Sequence, residues 1–300
     1  MEQPFFSIVI PTYARPERLA KCLQSLTCLT YPRDRFEVIV VDDGSEPPIE
    51  SVAAPFRDRL ALSLIRQANA GPAAARNTGA AHASGQFLAF TDDDCAPAPD
   101  WLEQLRGHFA IAPTALIGGH TLNALPHNLY STTSQTLTDY LYQFYTRRLN
   151  QPNFFASNNF ALPAELFQAI GGFDTTFPLA AGEDREFCDR WLEKGYPMIY
   201  APAVQVHHAH ELALPTFWRQ HFNYGRGAFY FHQVRRQRTA ETVKIEPFSF
   251  YTRLLTYPFS QRSPQPSVLV AALLFLSQVA NVSGFVWEKN TAQAGKPAQR

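Results

Sequence analysis

The chain has 300 residues, 46% of them hydrophobic and 17% charged, which is enough to bury a large core and excludes wholesale disorder. Its 26 Lys and Arg balance 26 Asp and Glu, so no net field draws it to nucleic acid, and a nucleic-acid partner is not expected. Cys22, Cys28, Cys95 and Cys188 form no C-x-x-C pair, and the N-terminus lacks a basic stretch followed by an apolar one, so the sequence reads as a reduced, cytoplasmic protein.

Short apolar runs at residues 6–10, 36–41, 60–65, 86–90 and 115–118 read as strands. Between the first two, Leu19, Cys22, Leu23 and Leu26 fall at helical spacing, and Pro16 suits the first turn of a helix over 16–26. Asp100 reads as the N-cap of a helix over 101–109. Residues 121–159 are polar and aromatic with little period and read as an irregular excursion. Helical pattern resumes at 163–170 and 183–194, the latter ending at Gly195, and a short strand-like run covers 203–206. From residue 214 the chain is aromatic and basic, then apolar. Strands alternating with helices predict an α/β fold with a mostly parallel sheet, whose ligands collect at the carboxyl ends of the strands.

The polar residues just after each run therefore matter most. The second run ends in Asp42, Asp43, Gly44 and Ser45, which on its own is also the ordinary ending of a buried strand at a sharp turn. The fourth is followed by Thr91, Asp92, Asp93 and Asp94; three adjacent carboxylates repel unless something cationic is present, and hard oxygen ligands point to Mg²⁺ or Mn²⁺. A solvated acidic loop is the alternative. Between them, residues 69–79 combine small residues, Pro72 and Arg76 in an anion-facing helix start that carries a guanidinium.

Together, SIVIPTY at 7–13, VIVVDDGS at 38–45, the 69–79 segment with Ala75-Arg76-Asn77, and FTDDD at 90–94 resemble, in order and spacing, the family 2 glycosyltransferases. The similarity continues through GGFD at 171–174 and GED at 182–184 to GRG at 225–227. The resemblance implies a GT-A (Rossmann-like) fold: a mostly parallel mixed sheet flanked by helices, with a C-terminal helical extension. It also implies a nucleotide-diphospho-sugar donor, a divalent metal cofactor (Mn²⁺ or Mg²⁺) and inversion at the anomeric carbon. Position by position, it assigns Asp43 to the nucleotide base, with Pro11 and Tyr13 lining the same pocket and Asp42 beside it. Asp92 falls at the ribose or sugar and Asp94 on the metal, with Asp92 also a metal candidate. Asp93 is the variable middle acid, a departure from the commoner small residue. Residues 1–120 become the nucleotide-sugar half, 121–213 the acceptor and catalytic-base half, and 214–300 the extension.

Glycosyl transfer to an alcohol needs a base for the acceptor proton and cationic help for the departing diphosphate. Asp184 falls at helical spacing with Phe187, Cys188 and Trp191, which puts a carboxylate on the inward face of a helix N-terminus. Because Glu183-Asp184 also matches the family pattern, Asp184 is the expected base and Glu183 its support. In the alternation His208, Ala209, His210, the two imidazoles share a side. His208 is the expected imidazole of the metal shell, with His207 and His210 as runners-up. Arg219 and Arg226 lie seven apart on one helix face, and the resemblance favours Arg226 at the diphosphate.

Residues 267–287 carry no charge and, at about 20 residues, are long enough to span a bilayer. Gln278 and Asn281 oppose insertion, and Ser277, Asn281, Gly284 and Glu288 share a helical stripe, so a helix lying on a membrane or docked on protein is expected instead. Residues 217–238 interleave rings with Arg219, Arg226, Arg235, Arg236 and Arg238, the composition of a surface that meets anionic headgroups. The combined expectation is a metal-dependent inverting glycosyltransferase at the inner face of the cytoplasmic membrane, using a UDP- or dTDP-sugar and a glycan or lipid-linked acceptor in cell-surface polysaccharide synthesis. The competing classes are a non-catalytic nucleotide-sugar-binding protein and a sugar nucleotidyltransferase. The latter would want a glycine-rich, basic phosphate loop after the first strand, and Pro11 to Pro16 is not one.

Overall fold

The first two runs are apolar on both faces, and both become strands with almost every residue buried, β1 (Phe6–Thr12) and β2 (Phe36–Asp42). Such strands suit the middle of a sheet covered on both sides. They belong to a computed structural model that describes residues 3–149, 152–239 and 246–293. The remaining strands are β3 (Leu62–Arg66), β4 (Phe87–Thr91), β5 (Cys95–Pro97), β6 (Leu116–Asn123), β7 (Asn159–Pro163) and β8 (Met198–His208). The helices are α1 (Pro16–Leu26), α2 (Glu50–Ala53), α3 (Pro72–Ala81), α4 (Trp101–Ile111), α5 (Leu129–Leu149), α6 (Ala164–Ile170), α7 (Glu183–Glu193), α8 (Leu214–Thr239), α9 (Phe248–Thr256) and α10 (Ser267–Gln293).

All eight strands form one mixed sheet in the order β3-β2-β1-β4-β7-β6-β8-β5, shared by strands from both sides of residue 120. The strands β3, β2, β1 and β4 run parallel; β7 is antiparallel to β4 and β6, and β6 and β8 are parallel. The chain therefore brings the C-terminal ends of β1, β2, β4 and β8 to one edge. Order reverses at β1, with β2 on one side and β4 on the other, which opens the crevice where open α/β sheets bind ligands. One core layer packs Phe6, Ile8, Leu23, Val38, Trp101 and Leu105, and the other packs Phe90, Phe160, Phe167, Phe187 and Trp191.

Three expectations change. Residues 121–159 are not irregular: β6 runs on to Asn123, and the 21-residue α5 follows. The period was hidden because α5 is rich in Thr, Ser and Tyr: Thr133 and Thr136 bond to the carbonyls four residues back, whereas the Ser131 and Tyr140 hydroxyls donate to the carbonyls of His210 and Phe250 elsewhere in the fold. Asp100 precedes α4 but makes no side-chain cap; its carboxylate accepts from Gln104 Nε2 at 2.9 Å. Three of the arginines expected at a membrane surface are engaged inside the protein. Arg226 pairs with Glu288, and Arg235 and Arg238 pair with Asp189, Arg238 also reaching Glu186.

Among the described residues, α10 is the one helix long and apolar enough to cross a membrane. It buries the stripe Val270, Leu274, Ser277, Ala280, Gly284 and Glu288 against the protein. Its crossing with α8 is tight because both helices present glycine: a methyl group at Gly225 would overlap the carbonyl oxygen of Asn281, and one at Gly284 that of Phe222. The approach lets Arg226 Nε reach Glu288 at 2.6 Å while its guanidinium lies 4.5 Å from the Trp287 ring centroid. Overpacking a contact of this kind costs about 1–3 kcal/mol. Gly284→Ala is thus expected to lower stability by that amount in urea titrations, whereas Val282→Ala, at a position 58% exposed, leaves it within about 0.5 kcal/mol.

Candidate active site

The carboxylates expected at the strand ends line the edge described above. Asp43 follows β2 and accepts from Gln67 Nε2 at 2.8 Å, Ala70 N at 2.9 Å and Gly71 N at 2.8 Å. It therefore fixes the loop that starts α3. A carboxylate has about four acceptor sites, so three donors leave room for one more, such as a base N–H. Asp42 is buried, with its Oδ1 taken by Ser45 N at 2.9 Å and Arg66 Nε 3.8 Å from Oδ2, as a turn residue would be. Pro11 is buried in β1, and the Tyr13 ring stands open at 52% exposure, free to cover a planar ligand.

Because Asp43 anchors the start of α3, Arg76 lies one turn in, as the spacing predicts. Its neighbour Asn77 clamps the following half of the fold: Oδ1 accepts from Phe173 N and Nδ2 donates to Phe173 O, both at 2.8 Å. Arg76 is 4% exposed and bridges Asp92, 2.6 Å from Nη2, to Glu183, 3.7 Å from Nη1. Its Nε and Nη1 and the Oε2 of Glu183 are buried with no hydrogen-bond partner. Buried polar atoms of this kind are normally satisfied, so their convergence fits a polar ligand.

The three adjacent acids take different partners. Asp93 turns inward, accepting from Thr12 Oγ1 at 2.7 Å and Arg15 Nη1 at 3.3 Å; burial pushes its carboxyl up to about 6. Asp94 meets Arg18 Nη1 at 3.0 Å and His208 Nε2 at 3.2 Å. Burial would raise its pKa, but the hydrogen bond and charge of His208 and the charge of Arg15 prevail and hold it near about 2. His208 arrives there because Cys95 in β5 is registered against it in β8. One ligand atom each from Asp94, Cys95 and His208 lie within 4.8 Å of one another. Burial raises the Cys95 thiol well above its ordinary value and keeps it protonated, so the usable donors are carboxylate oxygen and imidazole, a set that fits Mn²⁺.

Glu183 and Asp184 open α7. Glu183 is 6% exposed, and burial, then the Asp184 charge, push its carboxyl up to about 7 against the pull of Arg76. Asp184 is half-buried; burial raises it too, while the backbone N–H of Arg185 at 2.7 Å and Arg76 oppose the shift. The more enclosed acid is thus Glu183, and the more accessible one is Asp184.

Arg226, expected at the diphosphate, pairs its Nε with Glu288, while its Nη2 is buried with no hydrogen-bond partner. His207 points outward and His210 sits with its ring 5.1 Å from that of His208, held neutral chiefly by burial, with its pKa at about 4. Sequence reasoning passed over Arg15 and Arg18, whose guanidiniums stand on Asp93 and Asp94. The signal was their place in the first turn after β1, on the same edge as the acids.

Breaking a buried pair by removing one partner costs about 3–5 kcal/mol because the other charge is stranded. Glu183, with its folded pKa raised from 4.5 to about 7, favours the folded state fully below its ordinary value and loses that contribution as pH rises through about 7. Arg76→Met should therefore destabilise the fold most at about pH 8, where Glu183 is ionised in the native state, and markedly less at about pH 5; urea titrations at the two pH values measure the difference.

Residues 7–171 match the family model described as Glycosyl transferase family 2. The chain is 32% identical over 206 residues to Glycosyltransferase AglE of Haloferax volcanii, covering 67% of this chain and 66% of that protein. It is 30% identical over 247 residues to Validoxylamine A glucosyltransferase of Streptomyces hygroscopicus subsp. jinggangensis, covering 70% and 58% of the two chains. It thus spans less than two thirds of either relative. Among solved structures, the mannosyltransferase PcManGT from Pyrobaculum calidifontis, in complex with GDP-Man and Mn²⁺, superposes with a TM-score of 0.61 at 20% identity, covering 98% of this chain and 81% of that one. S. aureus TarS 1-349 in complex with UDP-GlcNAc gives a TM-score of 0.53 at 15% identity over 98% and 93% of the two chains. With the mixed sheet, the strand-end acids and more than half of its length matched, the chain belongs to glycosyl transferase family 2 and has the GT-A fold.

Proposed function

We propose that the protein transfers a sugar from a nucleotide-diphospho-sugar to a hydroxyl of a glycan or glycolipid acceptor, with inversion, in cell-surface polysaccharide synthesis at the inner face of the cytoplasmic membrane. The observation that carries this reading is the buried bridge Asp92–Arg76–Glu183, which draws the acids after β4 and at the start of α7 around unsatisfied polar atoms at the switch-point crevice. The names of the relatives support transfer, and the neighbours bound to GDP-Man and UDP-GlcNAc support a nucleotide-sugar donor. UDP- or dTDP-sugars remain the favoured donors, with a GDP-sugar the arm the mannosyltransferase adds.

In this reading the Tyr13 ring covers the base beside Pro11, and the remaining acceptor site of Asp43 takes a base N–H, with Asp42 shaping the turn beneath. Asp92 faces the ribose or the sugar. Asp94 and His208 would hold Mn²⁺ or Mg²⁺, which supplies charge neutralisation for the diphosphate, whereas Asp92, also expected on the metal, lies outside their cluster with its Oδ1 on Arg76. Arg15 and Arg18, already on Asp93 and Asp94, are placed by this reading to meet the phosphates, the task first given to Arg226.

Asp184 accepts the proton of the acceptor hydroxyl as its oxygen attacks the anomeric carbon from the face opposite the leaving group. One C–O bond forms, the bond to the diphosphate oxygen breaks, and the nucleoside diphosphate carries the electron pair away. A carboxylate with a raised pKa is the stronger base, and Asp184, only partly exposed but less enclosed than Glu183, is the acid of the pair that a hydroxyl can meet. Glu183, tied to Arg76, orients the site. Asp184→Asn should lower turnover roughly 10²–10⁴-fold with donor affinity kept, measured as nucleoside diphosphate release from UDP-, dTDP- and GDP-sugars. Full turnover in the variant would remove Asp184 from this role, and donor binding with no release by the native protein would favour the non-catalytic reading.

A further inference from the structure

Between α5 and α9 lies an open cavity of about 710 Å³ whose lining includes Arg147, Arg148 and Arg253 beside the rings of Tyr140, Phe144 and Tyr257. Arg148 is paired with Glu246 at 2.6 Å, whereas Arg147 and Arg253 form no ion pair among the described residues. The cavity lining thus carries three arginines and no acid, with Glu246 beside it offsetting one of them.

Its rim is apolar. Phe248 is 82% exposed between the lining residues Pro247 and Ser249, and Phe259, 61% exposed, precedes the lining residue Ser260. The Ser267 hydroxyl donates to the Pro258 carbonyl at 3.1 Å, which brings the start of α10 against the turn that carries Phe259. From there Val268, Phe275, Val279, Val282 and Val286 recur at spacings of three, four and seven residues on the unburied side of α10. An exposed apolar surface this extended marks a binding face. The cavity's guanidiniums, flanked by Phe248 and Phe259, indicate what covers it, because exposed rings and aliphatic chains fit the acyl boundary of a bilayer while arginines pair with the phosphates just above.

We propose that this face docks on an anionic bilayer, with a lipid phosphate seated between Arg147 and Arg253 and the side chains of Phe248 and Phe259 in the interface. The proposal rests on the membrane location given under the proposed function and names the surface and headgroup chemistry that produce it. It moves the basic patch away from α8, whose Arg226, Arg235 and Arg238 are occupied by carboxylates.

Co-sedimentation with vesicles of phosphatidylcholine alone, or of phosphatidylcholine mixed with phosphatidylglycerol, tests it. The native chain should sediment with the anionic vesicles only, less so as salt rises, and the paired substitutions Arg147→Gln and Arg253→Gln should weaken that partitioning roughly ten-fold or more. Phe248→Ser with Phe259→Ser should weaken it as well while keeping the salt dependence. Unchanged melting temperature and UDP or GDP binding certify that the variants are folded. Native-like sedimentation of the arginine variant would overturn the pocket and leave the membrane location standing. No sedimentation of the native chain would overturn both. A melting shift with glycerol phosphate, lost in the arginine variant and unaccompanied by vesicle binding, would assign the pocket to a free phosphate and overturn the lipid.

Discussion

The arrangement depends on one buried guanidinium. Arg76 sits between the first acid after β4 and the first acid of α7, and at 4% exposure its own charge is tolerated only because those two carboxylates face it. Its position is determined on either side: Asp43 receives the N–H groups that lead into α3, and the adjacent Asn77 grips the backbone of Phe173. Farther along, Gly79 packs so closely on Val9 and Val41 that the helix lies flat on the sheet. A short Ala-rich helix with little intrinsic amphipathicity is thereby made a rigid strut, and the two halves of the crevice keep their spacing because of it.

The C-terminal helices are joined to the same strut. Gly227 in α8 lies against the carbonyl of Ala181, immediately before the Gly182 turn that presents Glu183 and Asp184. One residue earlier, Arg226 is paired with Glu288 in α10. The docking of α10 therefore supports α8 where α8 supports the acids. Arg226, expected at the diphosphate, thereby also secures the wall behind the acids.

The sheet was legible because its strands are apolar on both faces and end in acids: residues 6–12, 36–42 and 87–91 need no context to read as buried strands. Arg76 and the strand-end carboxylates were legible for the same reason, since a short motif fixes where a side chain lies relative to its strand. Long α5 was not, because its buried face mixes Tyr140 with Leu137, Leu141 and Phe144 among many Thr and Ser, and the partners of its hydroxyls, the carbonyls of His210 and Phe250 among them, lie far along the chain. The partner of Arg226 was hidden too. An ion pair across 62 residues depends on where two helices cross, and that crossing is set by Gly225 and Gly284 together. Arg15 and Arg18 looked like ordinary surface residues until β5 brought Asp94 over the first turn of α1.

The central claim is that the acids gathered at this edge form a metal-assisted site for a nucleoside diphosphate. Calorimetric titration of UDP, GDP and dTDP with and without Mn²⁺, on the native chain and on Asp94→Asn, tests it most directly. The account predicts that one nucleotide binds, that Mn²⁺ strengthens binding, and that the substitution removes the metal's share. Absence of binding by all three nucleotides, or binding indifferent to both Mn²⁺ and Asp94, would contradict it.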